Sequence, residues 1–479
     1  MSSFLAKIES FFKIKENGST IRTEIMAGIT TFLTMAYIVA LNPNLITGFG
    51  ANGGLALWNA IFLATVLSSG VATILMGLFA NKPFALSSGM GLNSYFAQVC
   101  GSIAAAAGVS YVVGVQAGLC IILVEGIVFL VLSLFKIREK IVDAIPAGVR
   151  IGISGGIGLM LVNIGLGSND TVIDSTGGSN FMLSGFFGEG ASAMMEKGLY
   201  GTMVIHVITL IIGLVLIAVL AHKNVNGAIL YGVIGASVFY WPAIWIYTGS
   251  NPFAGLADAS WLPPFADMAE LTLFKFNFKV LFELGYFTAI MTMLTFCMVD
   301  MFDTIGTLYG TCESADMLNE DGSIPDVGKC FITDAVGTCV GAATGTPTVT
   351  TFVESASGVK AGGRTGLTSV VTGALFLACM FISPIAAIIP APATSAALVY
   401  VGALMISALK KLDYSDASNS VPVVVMLISM PVTGSIGSGI GLGLVTYSLI
   451  KICRGQWKDV SWLTVVLSVL FICKFFIPF

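Results

Sequence analysis

The chain has 479 residues, of which 56% are hydrophobic and 10% are charged, and its mean hydropathy is +0.93. Soluble domains carry roughly 25% charged residues, so this composition excludes a water-soluble globular enzyme and indicates a helical membrane bundle. The formal net charge of −4 is small, and a basic surface for nucleic acid is not expected.

Apolar runs long enough to cross a bilayer, which needs roughly 20 helical residues, predict about fourteen transmembrane segments. Seven lie near 23–46, 57–80, 84–105, 109–135, 145–166, 199–221 and 228–247, and seven near 281–309, 328–343, 346–359, 367–389, 393–409, 421–432 and 434–452. The predicted fold class is therefore an all-α polytopic membrane protein. The stretch 462–478 fits either a further span or a helix in the interface.

The first twenty residues lack the pattern of a cleavable signal peptide. Basic residues near span ends mark the cytoplasmic side. In this count one side holds Lys82, Lys136, Arg138, Lys140, Lys223, Lys360, Arg364, Lys410, Lys411, Lys451 and Arg454. The loops 167–198 and 248–279 fall on the other side, whereas the acidic loop 311–326 falls inside. We predict a multi-pass protein of the cytoplasmic membrane with its N-terminus in the cytoplasm.

Seven spans in each half, an odd number, invert the orientation of the second half relative to the first. Similar motifs occur at corresponding places in the two halves. Ile145-Pro146-Ala147 opens the fifth span as Ile389-Pro390-Ala391 opens its counterpart. Gly91–Ser94 in the interrupted third span corresponds to Phe352–Ser355 in the interrupted tenth. Interrupted segments at matching places in inverted halves point to a transporter's binding site.

Carboxylates inside predicted spans support that position, because they are costly in a bilayer and usually face a cavity or a partner. Asp300 and Asp303, three residues apart, are expected on one helix face. Glu354 follows the Pro- and β-branched piece 346–351, which favours extended chain and a half-helix beginning near Phe352. Free backbone N–H groups there require a pocket, with Asn93 on its other wall.

Structural roles stay open for several of these side chains. An aspartate of this pair could brace neighbouring helices, Glu354 could reach bulk water, and Asn93 could make an interhelical hydrogen bond. Glu125 is equally compatible with a structural and a gating role. The histidines, His206 and His222, are weak candidates for carrying protons, and the nine cysteines fit small buried apolar residues.

Two glycine strings, 152–158 and 437–443, resemble phosphate loops in composition but follow no β-strand and open no βαβ unit. Because small residues let helix backbones approach, close packing or a sliding surface explains them better.

Several motifs in order make the chain resemble the AzgA-like hypoxanthine, guanine and adenine permeases of the nucleobase:cation symporter superfamily. The resemblance spans about 22–454. It rests on Thr30–Ile38, Gly91–Asn93, Asp300–Leu308, Val353–Val359 and Gly362–Thr368.

This resemblance implies the fold of uracil and xanthine permeases, with a 7+7 inverted repeat and broken third and tenth segments. It implies a cytoplasmic N-terminus (1–22), a core domain (23–135 and 281–389), a gate domain (136–280 and 390–453) and a C-terminal apolar segment (454–479). It also implies an elevator mechanism, in which the core moves along a gate held in a homodimer, with no cofactor and with a proton as the coupling ion.

For the site, the resemblance implies that Asp300 and Glu354 contact the base and that Asp303 and Asn93 are needed for transport. Uracil permeases carry Glu at the place of Asp300 and His at that of Thr304, which leaves Asp303 as the nearest proton-coupling candidate, beside Asp300 and Glu354. The remaining expected site residues are Gly91, Val353 and the apolar candidates for covering the ring face, Met90, Phe302 and Phe352.

The chemistry is consistent with a purine, a flat neutral ligand whose N–H edge needs acceptors. A proton that neutralises one carboxylate lowers the cost of hiding the loaded site from water. Two other classes compete with this prediction. An anion exchanger or channel of similar fold would need helix N-termini free of negative charge, and an intramembrane aspartyl protease would need aspartates on two helices in a Gly-x-Gly-Asp setting.

Overall fold

The computed structural model describes residues 2–135, 146–167, 188–256, 259–283, 285–314, 317, 324 and 326–476. These ranges are helical apart from turns, connections and one two-stranded sheet. The basic cluster at 136–140, the loop around Asp174 and most of the acidic loop 311–326 lie outside the described residues, so their predicted sides of the membrane stay predictions.

The first half of the chain contributes ten helices and one strand within the described ranges. They are α1 (Ser2–Phe12), α2 (Ile21–Met35), α3 (Ile38–Ile46), α4 (Gly54–Leu75), β1 (Leu86–Ser88), α5 (Met90–Ala107), α6 (Tyr111–Leu134), α7 (Ala147–Gly167), α8 (Gly188–Glu196), α9 (Tyr200–His222) and α10 (Ala228–Thr248). A π-helical turn, Met76–Ala80, extends α4.

The second half repeats this pattern of a strand between long apolar helices. Its elements are α11 (Phe265–Leu271), α12 (Phe278–Phe282), α13 (Tyr286–Ser314), α14 (Val327–Thr344), β2 (Val349–Thr351), α15 (Ser355–Lys360), α16 (Gly366–Ala378), α17 (Ser383–Ala387), α18 (Ala391–Ile406), α19 (Ala417–Thr433), α20 (Ile436–Cys453) and α21 (Trp462–Phe476).

Within the described residues, nine helical segments are long and apolar enough to cross a membrane, and three shorter apolar helices accompany them. The shorter ones are Tyr286–Met301, Ala417–Thr433 and Trp462–Phe476. The all-α polytopic class is confirmed, whereas the count of fourteen spans stays a prediction. The last apolar stretch is helical, as α21.

Both segments predicted to be interrupted consist of a short strand followed by a helix. Strands β1 and β2 pair antiparallel, with Ser87 opposite Thr350, and helices α5 and α15 start just beyond them. The extended piece expected before Glu354 is therefore present, although its helix begins at Ser355 rather than near Phe352. This pairing gives the backbone of both broken segments hydrogen-bond partners, which hydrocarbon could not supply.

The predicted first span is also broken. Helix α2 ends at Met35 and α3 begins at Ile38, so a turn carries Tyr37 between them. The Tyr37 side chain is 2% exposed, and the interruption delivers it to the site described below.

The chain divides into two compact units. The first comprises Met1–Ile46, Gly53–Val142 and Leu262–Ser383, and the second comprises Thr47–Asn52, Asp143–Trp261 and Pro384–Phe479. The stretch 262–280, expected within the gate domain, lies in the first unit, where Gln116 donates to Leu271 O at 2.9 Å and Thr272 donates to Thr344 O at 2.8 Å.

The first unit contains the sheet and packs α16 against α2 and α4. Small residues make these contacts close: a Cβ on Gly366 would lie 2.0 Å from the carbonyl oxygen of Gly77. A buried carboxylate reinforces the contact, because Glu24 of α2 accepts from the backbone N–H groups of Arg364 and Thr365 and from the Thr368 hydroxyl. Glu24 thus satisfies donors at the start of α16.

The second unit is built around α7 and α18, which begin directly after Pro146 and Pro390 of the two Ile-Pro-Ala motifs. A Cβ on Gly402 would lie 2.5 Å from Gly158 O, and one on Gly158 would lie 2.6 Å from Gly402 O. Within the same unit, Gly156 and Gly439 both abut Met430. Close helix packing therefore accounts for these glycines.

We expect Gly402→Ala to destabilise the second unit, because its methyl group would overlap the facing backbone, which cannot swing away as a flexible side chain can. Overpacking of this kind costs roughly 1–3 kcal/mol, measurable as a lower midpoint of thermal unfolding in detergent. Gly255→Ala is the matched control, since a Cβ at Gly255 would meet no atom within 4 Å. Equal midpoints for the two variants would contradict this packing.

Candidate functional site

The backbone frame of the candidate site is the β1–β2 sheet of the first unit. Beyond the paired strands, Gly89 N–H donates to Thr348 O at 3.0 Å and Phe352 N–H donates to Ala85 O at 3.0 Å. Gly89 is the residue before the 18-residue helix α5, whose first N–H groups lack partners within the helix. The frame therefore brings the positive end of α5 and the residue Glu354 to the two ends of one small sheet.

Glu354 lies three residues beyond the end of β2 and is half-buried. The Tyr37 hydroxyl donates to Glu354 Oε1 at 2.9 Å, and the Thr34 hydroxyl approaches the Glu354 carbonyl oxygen at 3.5 Å. Among the described residues, Tyr37 is the side chain that donates to this carboxylate. Its second oxygen remains available as an acceptor.

Asp303 lies on the α13 face that reaches the same region. Its Oδ2 is 3.5 Å from the position that a Cβ on Gly89 would occupy, so the carboxylate sits against the start of α5, where the helix dipole favours a negative charge. Asp303, like Glu354, is half-buried.

Asp300 is more deeply buried than Asp303. Its side chain is fully buried, and so is that of Asp334 on α14. The Thr304 hydroxyl is 3.2 Å from Asp300 Oδ1 and 3.0 Å from Asp334 Oδ2, which brings two carboxyls from neighbouring helices to one hydroxyl. The structure therefore brings Asp300 together with Asp334 at the Thr304 hydroxyl, whereas Asp303 lies beside Gly89.

One threonine hydroxyl links the Asp300–Asp334 pair to the sheet. A third oxygen, Thr350 Oγ1, lies 2.8 Å from Thr304 Oγ1. A threonine hydroxyl donates one hydrogen bond and accepts two, so Thr304 connects both carboxyls to β2. Two carboxyls at one hydroxyl form a place where a proton can be held, because ionisation of both is disfavoured for like charges close together.

Asn93 is fully buried one turn into α5. Its amide nitrogen donates to Asn42 Oδ1 at 2.6 Å and to Ser88 O at 3.2 Å, and its oxygen accepts from Ser88 Oγ at 2.9 Å. Both amide hydrogens are thus used within the protein. The structure favours the interhelical hydrogen bond that the sequence left open for Asn93.

The other predicted site residues are distributed unevenly. Met90 and Phe352 are buried next to the frame, at 4% and 7% exposure, whereas Val353 is exposed. Gly91 lies in the first turn of α5, where its carbonyl accepts from Ser94. The side chain of Phe302 lies outside the described residues. Which residue covers a ligand's ring face therefore stays a prediction.

Glu125 is fully buried and accepts from the Thr348 hydroxyl at 2.8 Å. This contact ties α6 to the residue before β2. In the second unit, His206 stacks on Tyr240 with ring centroids 5.9 Å apart, and His222 occupies the last turn of α9. The two histidines are thus placed on elements other than those that form the frame.

Three residues of the site region were not predicted from the sequence: Tyr37, Asp334 and Asn42. Asp334 lies in a predicted span, at 328–343, so the criterion that singled out Asp300 applies to it equally. Tyr37 falls within the motif Thr30–Ile38, and a tyrosine inside a predicted span was the available signal. Asn42 lies in the Asn-Pro-Asn stretch of α3. Polar residues in an apolar span were a similar signal there.

A helical membrane protein with two strand-broken segments around buried carboxylates belongs to the class of secondary transporters. Residues 22–440 match the model of the Xan_ur_permease family, described as a permease family. The chain belongs to this family, and it is a multi-pass membrane transporter rather than an enzyme.

Two relatives illustrate the match. The chain is 35% identical to the adenine permease AdeQ of Escherichia coli over 469 residues, covering 98% of this chain and 96% of the relative. It is 34% identical to the guanine/hypoxanthine permease PbuO of Bacillus subtilis, covering 97% and 100%.

Among solved structures, the transmembrane domain of a cyanobacterial bicarbonate transporter, BicA, aligns with a TM-score of 0.58 at 14% identity, covering 94% of this chain and 97% of the other. At this level of identity the likeness concerns the fold alone. It supports the 7+7 architecture inferred from the sequence.

Proposed function

We propose that this protein imports purine nucleobases across the cytoplasmic membrane together with protons. The observation that carries the proposal is the pair of half-buried carboxylates, Glu354 and Asp303, at the ends of the β1–β2 frame. The relatives support the substrate class, since full-length matches are permeases for adenine and for guanine or hypoxanthine. We expect no cofactor and no metal.

In this proposal, Glu354 and Asp303 accept hydrogen bonds from the N–H edge of the base. Tyr37 holds Glu354 Oε1, which leaves Oε2 directed to the ligand. The start of α5 offers backbone N–H donors for the carbonyl or ring nitrogens of the same base. A purine presents both donors and acceptors along one edge, and this site supplies the complement of each.

The roles of the two aspartates on α13 are then exchanged relative to those that the sequence suggested. Asp303, half-buried beside Gly89, is the carboxylate placed to meet the base. Asp300, fully buried beside Asp334, is placed to hold a proton. Binding and coupling are thus assigned to different side chains one helical turn apart.

Coupling arises in this scheme because the Asp300–Asp334 pair changes its charge beneath the frame that binds the base. Thr350 belongs to β2 and touches Thr304, so loss of the proton would leave one carboxylate oxygen at Thr304 without a donor and would push on the strand that leads to Glu354. A protonated pair therefore favours the arrangement that binds the base, and the bound base favours the protonated pair.

For transport we propose that the first unit, which contains the site, moves as a core while the second unit serves as a gate within a homodimer. Protonation of the Asp300–Asp334 pair before the core moves lowers the cost of carrying charge across the membrane. The orientation proposed from the basic residues places the N-terminus in the cytoplasm.

An anion substrate fits this site poorly. Two carboxylates, Glu354 and Asp303, line the region where an anion would have to bind, and like charges repel. The similarity to BicA concerns the fold, so bicarbonate or sulfate transport gains no support from it.

The test is a binding panel on purified wild-type protein by calorimetry. We expect hypoxanthine, guanine or adenine to bind, while uracil, bicarbonate and sulfate bind at least roughly tenfold more weakly, a difference of about 1.4 kcal/mol. Binding of bicarbonate or sulfate in preference to every purine would overturn the proposed substrate class.

Topology gives a separate prediction. In a background with the nine native cysteines replaced, a membrane-impermeant thiol reagent applied to intact cells should label Ser250→Cys but not Lys223→Cys. Positive residues near span ends are retained inside, and Lys223 follows α9 whereas Ser250 follows α10. Both positions should react after permeabilisation. Labelling of Lys223→Cys alone in intact cells would reverse the proposed orientation.

A further inference from the structure

Four buried side chains beneath the site form a closed ring of hydrogen bonds. Asn42 Nδ2 donates to Thr346 Oγ1 at 2.9 Å, Thr346 Oγ1 to Ser88 Oγ at 3.1 Å, Ser88 Oγ to Asn93 Oδ1 at 2.9 Å, and Asn93 Nδ2 to Asn42 Oδ1 at 2.6 Å. Thr346 and the two asparagines are fully buried, as is Ser88. We call this set the Asn42–Asn93 ring.

Two carbonyl groups outside the ring fix its direction. The second hydrogen of Asn42 Nδ2 goes to Thr65 Oγ1 at 2.8 Å, whose own hydrogen goes to Ile61 O at 2.6 Å. Because Thr65 has already donated, it can only accept from Asn42. The second hydrogen of Asn93 Nδ2 goes to the carbonyl of Ser88 at 3.2 Å. Each amide can therefore be oriented in one way only, and every hydrogen in the ring is used.

The ring connects the segments whose ends build the site. Asn42 lies on α3, which begins just after Tyr37. Ser88 ends β1, directly before the start of α5, and Thr346 leads into β2, which ends before Glu354. Breaking one bond leaves buried donors or acceptors unsatisfied in the others, since hydrogen bonds in such a network support one another.

We propose that Asn93 acts on the base indirectly, as a positioning residue, and that Asn42, Ser88 and Thr346 share this role as one unit. The ring holds the two broken segments in the register that presents Glu354 and the start of α5 to the ligand. Asn93 has no hydrogen left to offer a ligand, so its effect on affinity comes through the frame. This inference rests on the proposed purine binding.

The experiment measures purine affinity, thermal stability and backbone hydrogen exchange on ring variants. Asn42→Leu, Asn93→Leu and Thr346→Val should each weaken binding roughly three- to thirtyfold, within the range of coupling through packed networks. The loss should be similar for hypoxanthine, guanine and adenine. Thr346→Ser, which keeps the hydroxyl, should stay within about twofold of wild type.

A double variant distinguishes a ring that acts as one unit from hydrogen bonds that act independently. Asn42→Leu with Asn93→Leu should bind no more than about twofold more weakly than the weaker single variant, because either change already breaks the ring. Amides of Leu86–Ser88 and Val349–Thr351 should exchange faster in each single variant, whether or not ligand is present. Ser448→Ala is the control: it removes a buried hydroxyl pair with Ser468, 2.9 Å apart in the second unit, and should leave affinity unchanged.

The inference is overturned if Asn93→Leu loses affinity while Asn42→Leu and Thr346→Val retain it, or if the losses multiply in the double variant. It is also overturned if exchange at both strands is unchanged in all three single variants. Failure of the proposed function looks different, because wild-type protein would then bind no purine while the exchange measurements still report on the ring.

Discussion

Glu354→Gln is expected to weaken purine binding roughly ten- to a hundredfold, because loss of a charge-assisted hydrogen bond costs about 1.5–3 kcal/mol. Glutamine keeps the size of the side chain, and the Tyr37 hydroxyl can still donate to its amide oxygen in place of Oε1. The ligand-facing oxygen of the carboxylate would then be replaced by an amide NH2, which donates where the base also donates. Calorimetry on wild-type and variant protein measures the difference directly.

Glu125→Gln is the matched control for this substitution. Glu125 is a fully buried carboxylate that accepts from the Thr348 hydroxyl at 2.8 Å, and we assign it no contact with the base. Its substitution should change affinity by no more than about twofold. If Glu354→Gln binds purine as wild type does, Glu354 does not hold the base.

Asp334→Asn is expected to abolish accumulation driven by a pH gradient while leaving purine binding nearly intact. The introduced amide donates to Thr304 as a protonated aspartate would, so the pair is held at the charge of its singly protonated form. With one proton per base, a gradient of one pH unit drives up to about tenfold accumulation. We expect wild-type proteoliposomes to approach that ratio and Asp334→Asn to equilibrate the base without accumulating it.

Asp300→Asn tests the same pair from the other helix, since both carboxyls meet at the Thr304 hydroxyl. It should uncouple transport in the same way, whereas Glu125→Gln should accumulate purine normally. Exchange of labelled for unlabelled purine, measured without a gradient, confirms that each variant still carries the base. Full accumulation in both aspartate variants would assign the coupling proton elsewhere.

The broken segments were predictable because their sequences disfavour continuous helix. Pro347 and the β-branched residues at 348–351 oppose helix and favour extended chain, and the strand Val349–Thr351 lies within this piece. The pairing partner was not predictable in the same way. The sequence of Leu86–Ser88 shows no alternation of apolar and polar residues. These three residues form a strand only because β2 lies beside them.

The different roles proposed for Asp300 and Asp303 could not be predicted from their separation in the sequence alone. Residues three apart on a helix differ by about 60° around the axis. That angle is small enough to suggest a shared face and large enough to direct one side chain into the α13–α14 contact and the other to the site. Only the position of Asp334 decides which is which, and that depends on how the helices pack.

The role of Asn93 could not be predicted from the sequence either. An asparagine in an apolar span signals a hydrogen-bonded function, but whether its partner is a ligand or another side chain depends on residues remote in sequence. Here the partners are Asn42, 51 positions earlier, and Ser88. The fold brings them together, and Asn42 with the Ser88 backbone carbonyl accepts both hydrogens of the amide.

Coupling of purine entry to protons is tested most directly in proteoliposomes of the wild-type protein that are loaded with sodium-free buffer. Labelled hypoxanthine, guanine and adenine are supplied under an inward pH gradient of one unit, with the membrane potential clamped at zero, and then under a sodium gradient at equal pH. We predict accumulation of at least one purine approaching about tenfold in the first condition and none in the second. Accumulation driven by sodium alone, or uptake that never exceeds equilibrium under the pH gradient, would contradict it.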